Sequence, residues 1–183
     1  VDLVASESVA LNVGCSTAIM DRHIEPHFSA YVGVDIDFSA LKFAKAHALG
    51  ENSLWAQADG INLPFKSNTF GVVICSQVYE HVTDPNAMMA EIFRVLRPGG
   101  YCYFAATNKY SVIEQHYFIP FLSWLPKKIS HKYLQLLNKG TYYYENHLSY
   151  FELKKLVSDF VVIDYTSKLI ENDSAYHTSY LFN

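Results

Sequence analysis

The sequence predicts an α/β domain built around a mostly parallel β-sheet. From Val9 to about Thr107, short apolar runs of strand length alternate with segments of helical period, an order typical of parallel strands joined by crossover helices. The runs are short and mostly apolar, as expected of strands covered on both faces. The chain has 183 residues, half of them hydrophobic. This length favours a single domain, residues 1–183, with a substantial core.

Five strands are predicted in this region from their apolar and β-branched residues. They are Val9–Val13, Tyr31–Ile36, Ser53–Ala58, Phe70–Ser76 and Tyr101–Ala106. A short helix of two or three turns is expected after Ser16, because Pro26 limits its length.

Two longer helices are predicted from their capping signals. The first has Asp37 or Ser39 as its N-cap and ends at Gly50. In the second, Asp84 is the N-cap and Pro85 fits the first turn. Its apolar stripe is formed by Met88, Ile92, Val95 and Leu96, and it is expected to end at Pro98-Gly99-Gly100.

After Thr107 the alternation stops, and residues 108–148 are rich in aromatic side chains with two prolines. We interpret them as a cap or insertion within the domain. The alternation then resumes, with a predicted helix at Tyr150–Val157, a strand near Phe160–Tyr165 and a last strand near Ala175–Phe182.

Composition excludes several classes of protein. The net charge of −4 offers no general attraction to a phosphate backbone, so nucleic acid is not expected as a partner. No apolar run reaches the length of a membrane span, and the first residues lack the features of a signal peptide. Cys15, Cys75 and Cys102 lie in separate apolar runs, which predicts buried free thiols and a reducing, cytoplasmic location.

The polar residues that follow the predicted strands indicate a ligand site, because the carboxyl ends of parallel strands share one edge of a sheet. Gly14 to Ala18 follow the first strand, where backbone N–H groups can approach a ligand. Asp35 ends the second strand about 20 residues after Gly14, the separation typical of a carboxylate that binds ribose hydroxyls. Asp59 and Gly60 follow the third strand. A carboxylate there could accept a hydrogen bond from an adenine amino group.

Four segments together resemble the class I S-adenosylmethionine-dependent methyltransferases, in particular the group that includes quinone-biosynthesis and other small-molecule methyltransferases. They are "VALNVGCSTA", "YVGVDIDFSALKFAKA", "QADGINLPFKSNTFGVVICSQVYEHV" and "EIFRVLRPGGYCYFAATN". The resemblance implies a three-layer Rossmann-like fold with seven strands, the last antiparallel, and an aromatic-rich cap after strand five. It also implies S-adenosylmethionine as the cofactor, S-adenosylhomocysteine as its product, and no metal.

Carried over residue by residue, the resemblance places Gly14 beside the methionine part of the cofactor and Asp35 on the ribose hydroxyls. Asp59 and Gly60 would contact adenine, and the residues just past strand four would lie near the sulfonium. The expected cofactor-binding set is Asn12, Gly14, Cys15, Ser16, Asp35, Ile36, Asp59, Gly60, Ser76 and Gln77.

The chain departs from the family pattern at four positions. The first motif usually has Asp where Asn12 stands and Gly where Ser16 and Ala18 stand, and an acidic residue commonly occupies the position of Gly71. A left-handed backbone at either of the two replaced glycines would cost about 1–2 kcal/mol. We therefore expect cofactor binding that is weakened but retained. Family members also have a helix before strand one, so a truncated N-terminus is expected.

Methyl transfer needs a base only when the acceptor must lose a proton. His81 follows strand four and faces the cleft in the family pattern. Its alternative role is to structure the following loop, and its neighbour Glu80 is expected to be more exposed. Glu114, His116 and Tyr117 follow strand five, where a cap reaches back over the active site, so they are the other candidates for a base or substrate contact.

Residues 112–136 combine aromatic and aliphatic side chains with lysines. They could wall an apolar substrate pocket, form a dimer face or make a peripheral contact with a membrane surface. The favoured function is methyl transfer to a small, apolar or aromatic-containing acceptor. Two alternatives are a degenerate fold that serves as a non-catalytic binding module and an NAD-dependent oxidoreductase. Ser16 speaks against the oxidoreductase, because it breaks the glycine fingerprint of dinucleotide binding.

Overall fold

The fold is described from a computed structural model, which covers residues 8–48 and 52–166. A sheet of five parallel strands in the order β3-β2-β1-β4-β5 forms its centre. The strands are β1 (Val9–Val13), β2 (Ala30–Asp35), β3 (Ser53–Gln57), β4 (Phe70–Ser76) and β5 (Leu96–Ala105). The order of strands reverses between β1 and β4. The fold therefore has its topological switch point at the predicted edge.

The two predicted long helices are present and begin at the predicted caps. Helix α1 is Phe38–His47 and α2 is Pro85–Val95. The carboxylate of Asp37 accepts the N–H groups of Ser39 and Ala40, and Asp84 does the same at the start of α2. The predicted stripe of α2 packs into the main core with the inner strands. Gly50, the predicted end of α1, lies outside the described residues.

The predicted helix after Ser16 is wrong. The chain forms two single 3-10 turns instead, Asp21–His23 and Glu25–His27. Both acidic side chains are buried and bonded to the sheet, Asp21 by Asn12 and Glu25 by the hydroxyl of Ser53. These anchors and Pro26 fix a compact connection that leaves no room for a continuous helix.

The predicted end of α2 at Pro98-Gly99-Gly100 is wrong. Helix α2 ends at Val95, and Pro98-Gly99-Gly100 lies inside β5, which starts earlier than Tyr101.

The predictions for the carboxyl-terminal part of the chain were partly wrong. Residues 160–165 form no strand: Val161 is 97% exposed, and the segment pairs with no strand of the described residues. A strand requires a partner for its N–H and C=O groups. The predicted strand near Ala175–Phe182 lies outside the described residues, so the described part has five parallel strands and not seven.

Residues 108–148 carry their own small elements and a second apolar cluster. The elements are an antiparallel pair, β6 (Ile113–Glu114) and β7 (Ile119–Pro120), a 3-10 turn at Leu122–Trp124, and helix α3 (Lys127–Leu136). Ile119, Leu122, Leu134 and Tyr143 form the buried centre of this cluster. Helix α4, Tyr150–Leu156, follows, and Ser149 and Glu152 close a capping box at its start.

One buried side chain joins this segment to the sheet. The hydroxyl of Tyr79 donates to the Thr107 carbonyl at 2.5 Å and accepts the N–H of Leu148 at 3.1 Å. The two ends of the 108–148 segment are therefore held together beside the loop that follows β4. Within the described residues, no helix has both the length and the apolar character that crossing a bilayer would require.

Candidate active site

The turn after β1 is held by its own backbone. The N–H groups of Gly14 and Cys15 both donate to the Val34 carbonyl, at 2.8 and 3.0 Å, and Ala18 donates to the Cys15 carbonyl at 2.9 Å. Ser16 donates to the Asp35 carboxylate at 2.7 Å. Four of the five N–H groups from Gly14 to Ala18 are thus used within the protein.

The backbone of this turn is left-handed at three positions. Gly14 has φ +75°, and a Cβ there would lie 2.5 Å from a methyl group of Val78, so glycine permits the close approach of the loop after β4. Ser16 and Ala18 have φ values of 49° and 53°. The strain expected for non-glycine residues at these two positions is therefore present, at about 1–2 kcal/mol each.

Asp35 lies at the end of β2 and connects this turn to the start of α1. One carboxylate oxygen accepts the Ser16 N–H and the other accepts the Asp37 N–H at 2.9 Å. Each carboxylate oxygen can accept more than one hydrogen bond, so both retain acceptor capacity. Ile36, the next residue, is 68% exposed and offers an apolar surface beside the carboxylate.

The ends of β3 and β4 complete this edge. Asp59 is exposed, and one of its carboxylate oxygens accepts the Ile61 N–H at 3.1 Å. Gly60 is half-buried beside it. Ser76 and Gln77 are exposed at the end of β4, and the Thr107 hydroxyl donates to the Gln77 side chain at 2.8 Å. The structure therefore places the predicted cofactor set along one edge of the sheet.

Two members of that set face inward. The Asn12 amide donates to the buried Asp21 carboxylate at 2.9 Å, beneath the turn. Burial raises the pKa of Asp21, and the hydrogen bond from Asn12 opposes that rise. Cys15 is also buried, and burial together with the charge of Asp21 raises its thiol pKa to about 12. Neither Asn12 nor Cys15 has its side chain free for a ligand.

A cluster of imidazoles and carboxylates lies where the 108–148 segment meets the loop after β4. The buried Glu114 carboxylate contacts His116 Nδ1 at 2.7 Å and His147 Nε2 at 3.2 Å. Its other oxygen accepts the backbone N–H groups of His116 and Tyr117, each at 2.9 Å. His81 Nε2 lies 3.2 Å from His116 Nε2. Three of the four predicted catalytic candidates are thus joined to one another by side-chain contacts.

Tyr117, the fourth candidate, is not joined to the others by its side chain, and Glu80 differs from expectation in its burial. Tyr117 contributes its backbone N–H to Glu114, while its hydroxyl donates to the Tyr142 carbonyl at 3.4 Å. The expectation that Glu80 is more exposed than His81 is wrong, because Glu80 is fully buried and His81 is exposed. The Glu80 carboxylate has no hydrogen-bond partner among the described residues.

Two sets of three in this cluster have donor atoms close enough to hold a metal ion: Glu80 with His81 and His116, and Glu114 with His116 and His147. Sequence reasoning treated His147 as a vaguer candidate than Glu114, His116 and Tyr117, and it missed Asp21 as a member of the site. Both residues have a weak signal in the sequence. His147 contacts Glu114, which is distant along the chain, and Asp21 is buried against Asn12.

Comparison with known proteins places this arrangement in context. A family model described as a methyltransferase domain matches residues 11–104, about half of the chain. Ubiquinone biosynthesis O-methyltransferases from Psychrobacter cryohalolentis and Nitrosomonas europaea are 28% and 26% identical over 156 and 160 residues. Each match covers 81% of this chain, which spans only 56% and 60% of those relatives.

A solved structure shows the same fold. An S-adenosylmethionine-dependent methyltransferase from Methanosarcina mazei is similar with a TM-score of 0.60 and 19% identity. The match covers 84% of this chain and 79% of the other.

Proposed function

This chain belongs to the class I S-adenosylmethionine-dependent methyltransferases, and from that premise we propose that it transfers the cofactor's methyl group to a small, aromatic-containing acceptor. The observation that carries the proposal is the use of the N–H groups in the turn after β1. Because most of them are donated within the protein, the turn has few donors left for a pyrophosphate. Two carboxylates, Asp35 and Asp59, remain at the edge.

These residues fit S-adenosylmethionine better than a dinucleotide. The cofactor has no phosphate, and its ribose hydroxyls and adenine amino group are donors that carboxylates accept. Asp35 would hold the ribose, Ile36 would contact the adenine ring, and Asp59 with Gly60 would bind its polar edge. A dinucleotide would also require a helix N-terminus at its phosphates, and here 3-10 turns follow β1. The NAD alternative is therefore disfavoured.

When bound, the cofactor supplies a methyl group on a sulfonium that is already a good leaving group. The protein's task is to orient the two reactants and to exclude water. Val78 packs against Gly14 and His81 follows three residues later, so the loop after β4 joins the cofactor edge to the His81–His116 pair. We assign the acceptor to this junction.

The acceptor would be an oxygen nucleophile. The relatives that match this chain are named O-methyltransferases, and the imidazoles of His81 and His116 can take the proton that a hydroxyl must lose. A non-catalytic binding module, the other alternative, offers no reason for histidines and a buried carboxylate to converge beside the cofactor edge.

Replacing Asp35 tests the cofactor site. Asp35→Ala should weaken S-adenosylhomocysteine binding by roughly ten- to a hundredfold, because a hydrogen bond to a charged group contributes about 1.5–3 kcal/mol. Isothermal titration measures the change. Asp37→Ala is the matched control: it removes the cap of α1 at the same edge, so it should lower stability without a comparable loss of affinity. No binding by the unaltered protein at millimolar ligand would contradict the proposed function.

We also propose that residues 112–136 contact an anionic membrane surface. Phe118 is 78% exposed and Leu136 is 79% exposed, and Lys128 and Lys132 are exposed on α3, the helix that carries Leu136. Outward aromatic and aliphatic groups beside lysines suit the interface between water and lipid head groups. The protein should sediment with phosphatidylglycerol vesicles and lose that association when both lysines are replaced by glutamate. Sedimentation equal to that with phosphatidylcholine vesicles would exclude the contact.

A further inference from the structure

A continuous line of hydrogen bonds runs from a buried carboxylate to an exposed imidazole. Glu114 Oε1 contacts His116 Nδ1 at 2.7 Å, and His116 Nε2 contacts His81 Nε2 at 3.2 Å. The rings of His81 and His116 are perpendicular, with centroids 5.0 Å apart. Glu114 is fully buried while both imidazoles are exposed, so the line leads from the protein interior to the surface.

The charge of Glu114 sets the direction of these bonds. Burial raises the pKa of this carboxyl group, but hydrogen bonds from His147, His116 and the Tyr117 backbone outweigh that effect and hold it at about 2. Glu114 is therefore an anion at neutral pH, and an ionised carboxylate can only accept hydrogen bonds.

The protonation of each imidazole follows by elimination. Since Glu114 only accepts, His116 carries a proton on Nδ1 and His147 carries one on Nε2. With a single ring proton, as an imidazole ordinarily has above pH 7, His116 has a lone pair on Nε2, and His81 then donates from its own Nε2. His81 is left with a lone pair on Nδ1. That atom is the one position in the line able to take a proton from another molecule.

We propose that His81 is the catalytic base of the methyl transfer and that His116 and Glu114 form a proton relay behind it. The acceptor's O–H bond breaks and its proton moves to His81 Nδ1. The proton on His81 Nε2 moves to His116 Nε2, and the oxygen's electron pair forms the new bond to the methyl carbon. The bond from that carbon to the sulfonium would break at the same time, with its electron pair left on sulfur and S-adenosylhomocysteine as the leaving group. His116 becomes an imidazolium beside the Glu114 carboxylate. This inference rests on the proposed function, because the relay has a task only if a hydroxyl is methylated.

His147 is a positioning residue in this scheme. It is almost completely buried, and its Nε2 occupies a second acceptor site of Glu114 at 3.2 Å. Its Nδ1 has no partner among the described residues, which agrees with a neutral ring whose only proton is given to Glu114. His147 thereby fixes the carboxylate on which His116 depends.

Other ionisable groups surround the relay and contribute to its field. They are Glu80 on the loop after β4, Tyr117 beside Glu114, and Tyr143 and Glu145 on the chain that leads to His147. Lys127 faces the same chain from α3 and donates to the carbonyls of Tyr143 and Glu145. Both Glu80 and Glu145 are buried beside these groups.

The ring tautomers test the relay without any substrate. Long-range proton–nitrogen NMR on histidine-labelled protein at pH 8 should show His116 protonated on Nδ1, and His81 and His147 protonated on Nε2. Single His→Gln variants assign the signals. A His81 ring protonated on Nδ1 would overturn the proposal. The proposal would also be overturned if the signals of His81 and His116 shifted together on addition of Zn²⁺ or Mg²⁺, since that result would place a metal ion between the two rings.

Kinetics with a catechol probe, 3,4-dihydroxybenzoate, test the chemistry. His81→Gln and His116→Gln should each lower kcat at least about a hundredfold, with S-adenosylhomocysteine affinity unchanged. His147→Leu should shift the rising limb of kcat/KM to higher pH, because Glu114 then attracts a proton on His116 more strongly. His147→Gln, which keeps an amide N–H near Glu114, should restore the profile.

The outcomes separate the relay from the proposed function. Loss of cofactor binding in the unaltered protein would count against the proposed function itself. Retained binding with full activity in His116→Gln would overturn the relay alone. If the unaltered protein binds the cofactor but does not methylate the probe, the NMR tautomers are the test. A His81 ring protonated on Nδ1 overturns the relay in that case too.

Discussion

Glu114→Gln is expected to lower the free energy of unfolding by about 3 kcal/mol at pH 7. The structure depresses the pKa of Glu114 from 4.5 to about 2, and this difference corresponds to roughly that stabilisation of the folded state. A group with a depressed folded pKa stabilises the protein above its unfolded pKa. The difference between the variant and the unaltered protein should therefore be full above about pH 4.5 and shrink as pH falls towards 2.

Urea denaturation followed by circular dichroism at several pH values measures this difference. Glu152→Gln is a suitable control, because Glu152 is an exposed carboxylate whose pKa is lowered by hydrogen bonds from Ser149. That variant should show a much smaller change. If Glu114→Gln unfolded at the same urea concentration as the unaltered protein at pH 7, the buried carboxylate would not have the role assigned to it.

Asn12→Asp is expected to destabilise the protein by about 3–5 kcal/mol at neutral pH, the usual effect of leaving a buried charge uncompensated. Although it restores the residue that the family usually has at this position, it removes the amide that donates to Asp21 at 2.9 Å. Two carboxylates at that distance cannot both ionise. The loss should diminish as pH falls and one of them takes a proton. Urea denaturation at pH 7 and pH 5 provides the comparison.

A second substitution distinguishes charge repulsion from other causes. Asn12→Asp combined with Asp21→Asn exchanges the donor and the acceptor, so it should regain most of the stability lost in the single variant. Failure of the pair to recover would show that Asn12 is needed for its shape. Recovery would explain why this turn lacks the usual acid, because the negative charge is at Asp21 instead.

Much of the fold could be predicted because its signals are local. Strands β1 and β4 and the N-caps Asp37 and Asp84 lie where the sequence predicts them, since apolar runs and capping side chains act over a few residues. The edge proposed to bind the cofactor was predictable for a related reason. In a parallel sheet every strand ends at the same side, so Asp35 and Asp59 had to share an edge.

The errors arose where distant contacts outweighed local preference. The predicted helix after Ser16 was replaced by 3-10 turns because Asp21 and Glu25 are bonded to strands. Residues 160–165 have strand-like composition but join neither of the sheets formed by residues 8–48 and 52–166. Glu80 is buried beside the last residues of the 108–148 segment, where Asn146 donates its N–H to the Glu80 carbonyl at 2.8 Å. Neighbouring residues reveal none of these partners.

The parallel sheet, the edge that carries Asp35 and Asp59, and the family could all be predicted from the residues of the chain. All three depend on patterns that repeat within short stretches of chain. Contacts seen only in the folded chain join His81, Glu114, His116 and His147 by hydrogen bonds and pair Asp21 with Asn12. Burial and pairing set the charge of these groups, and both arise when segments far apart in the chain pack together.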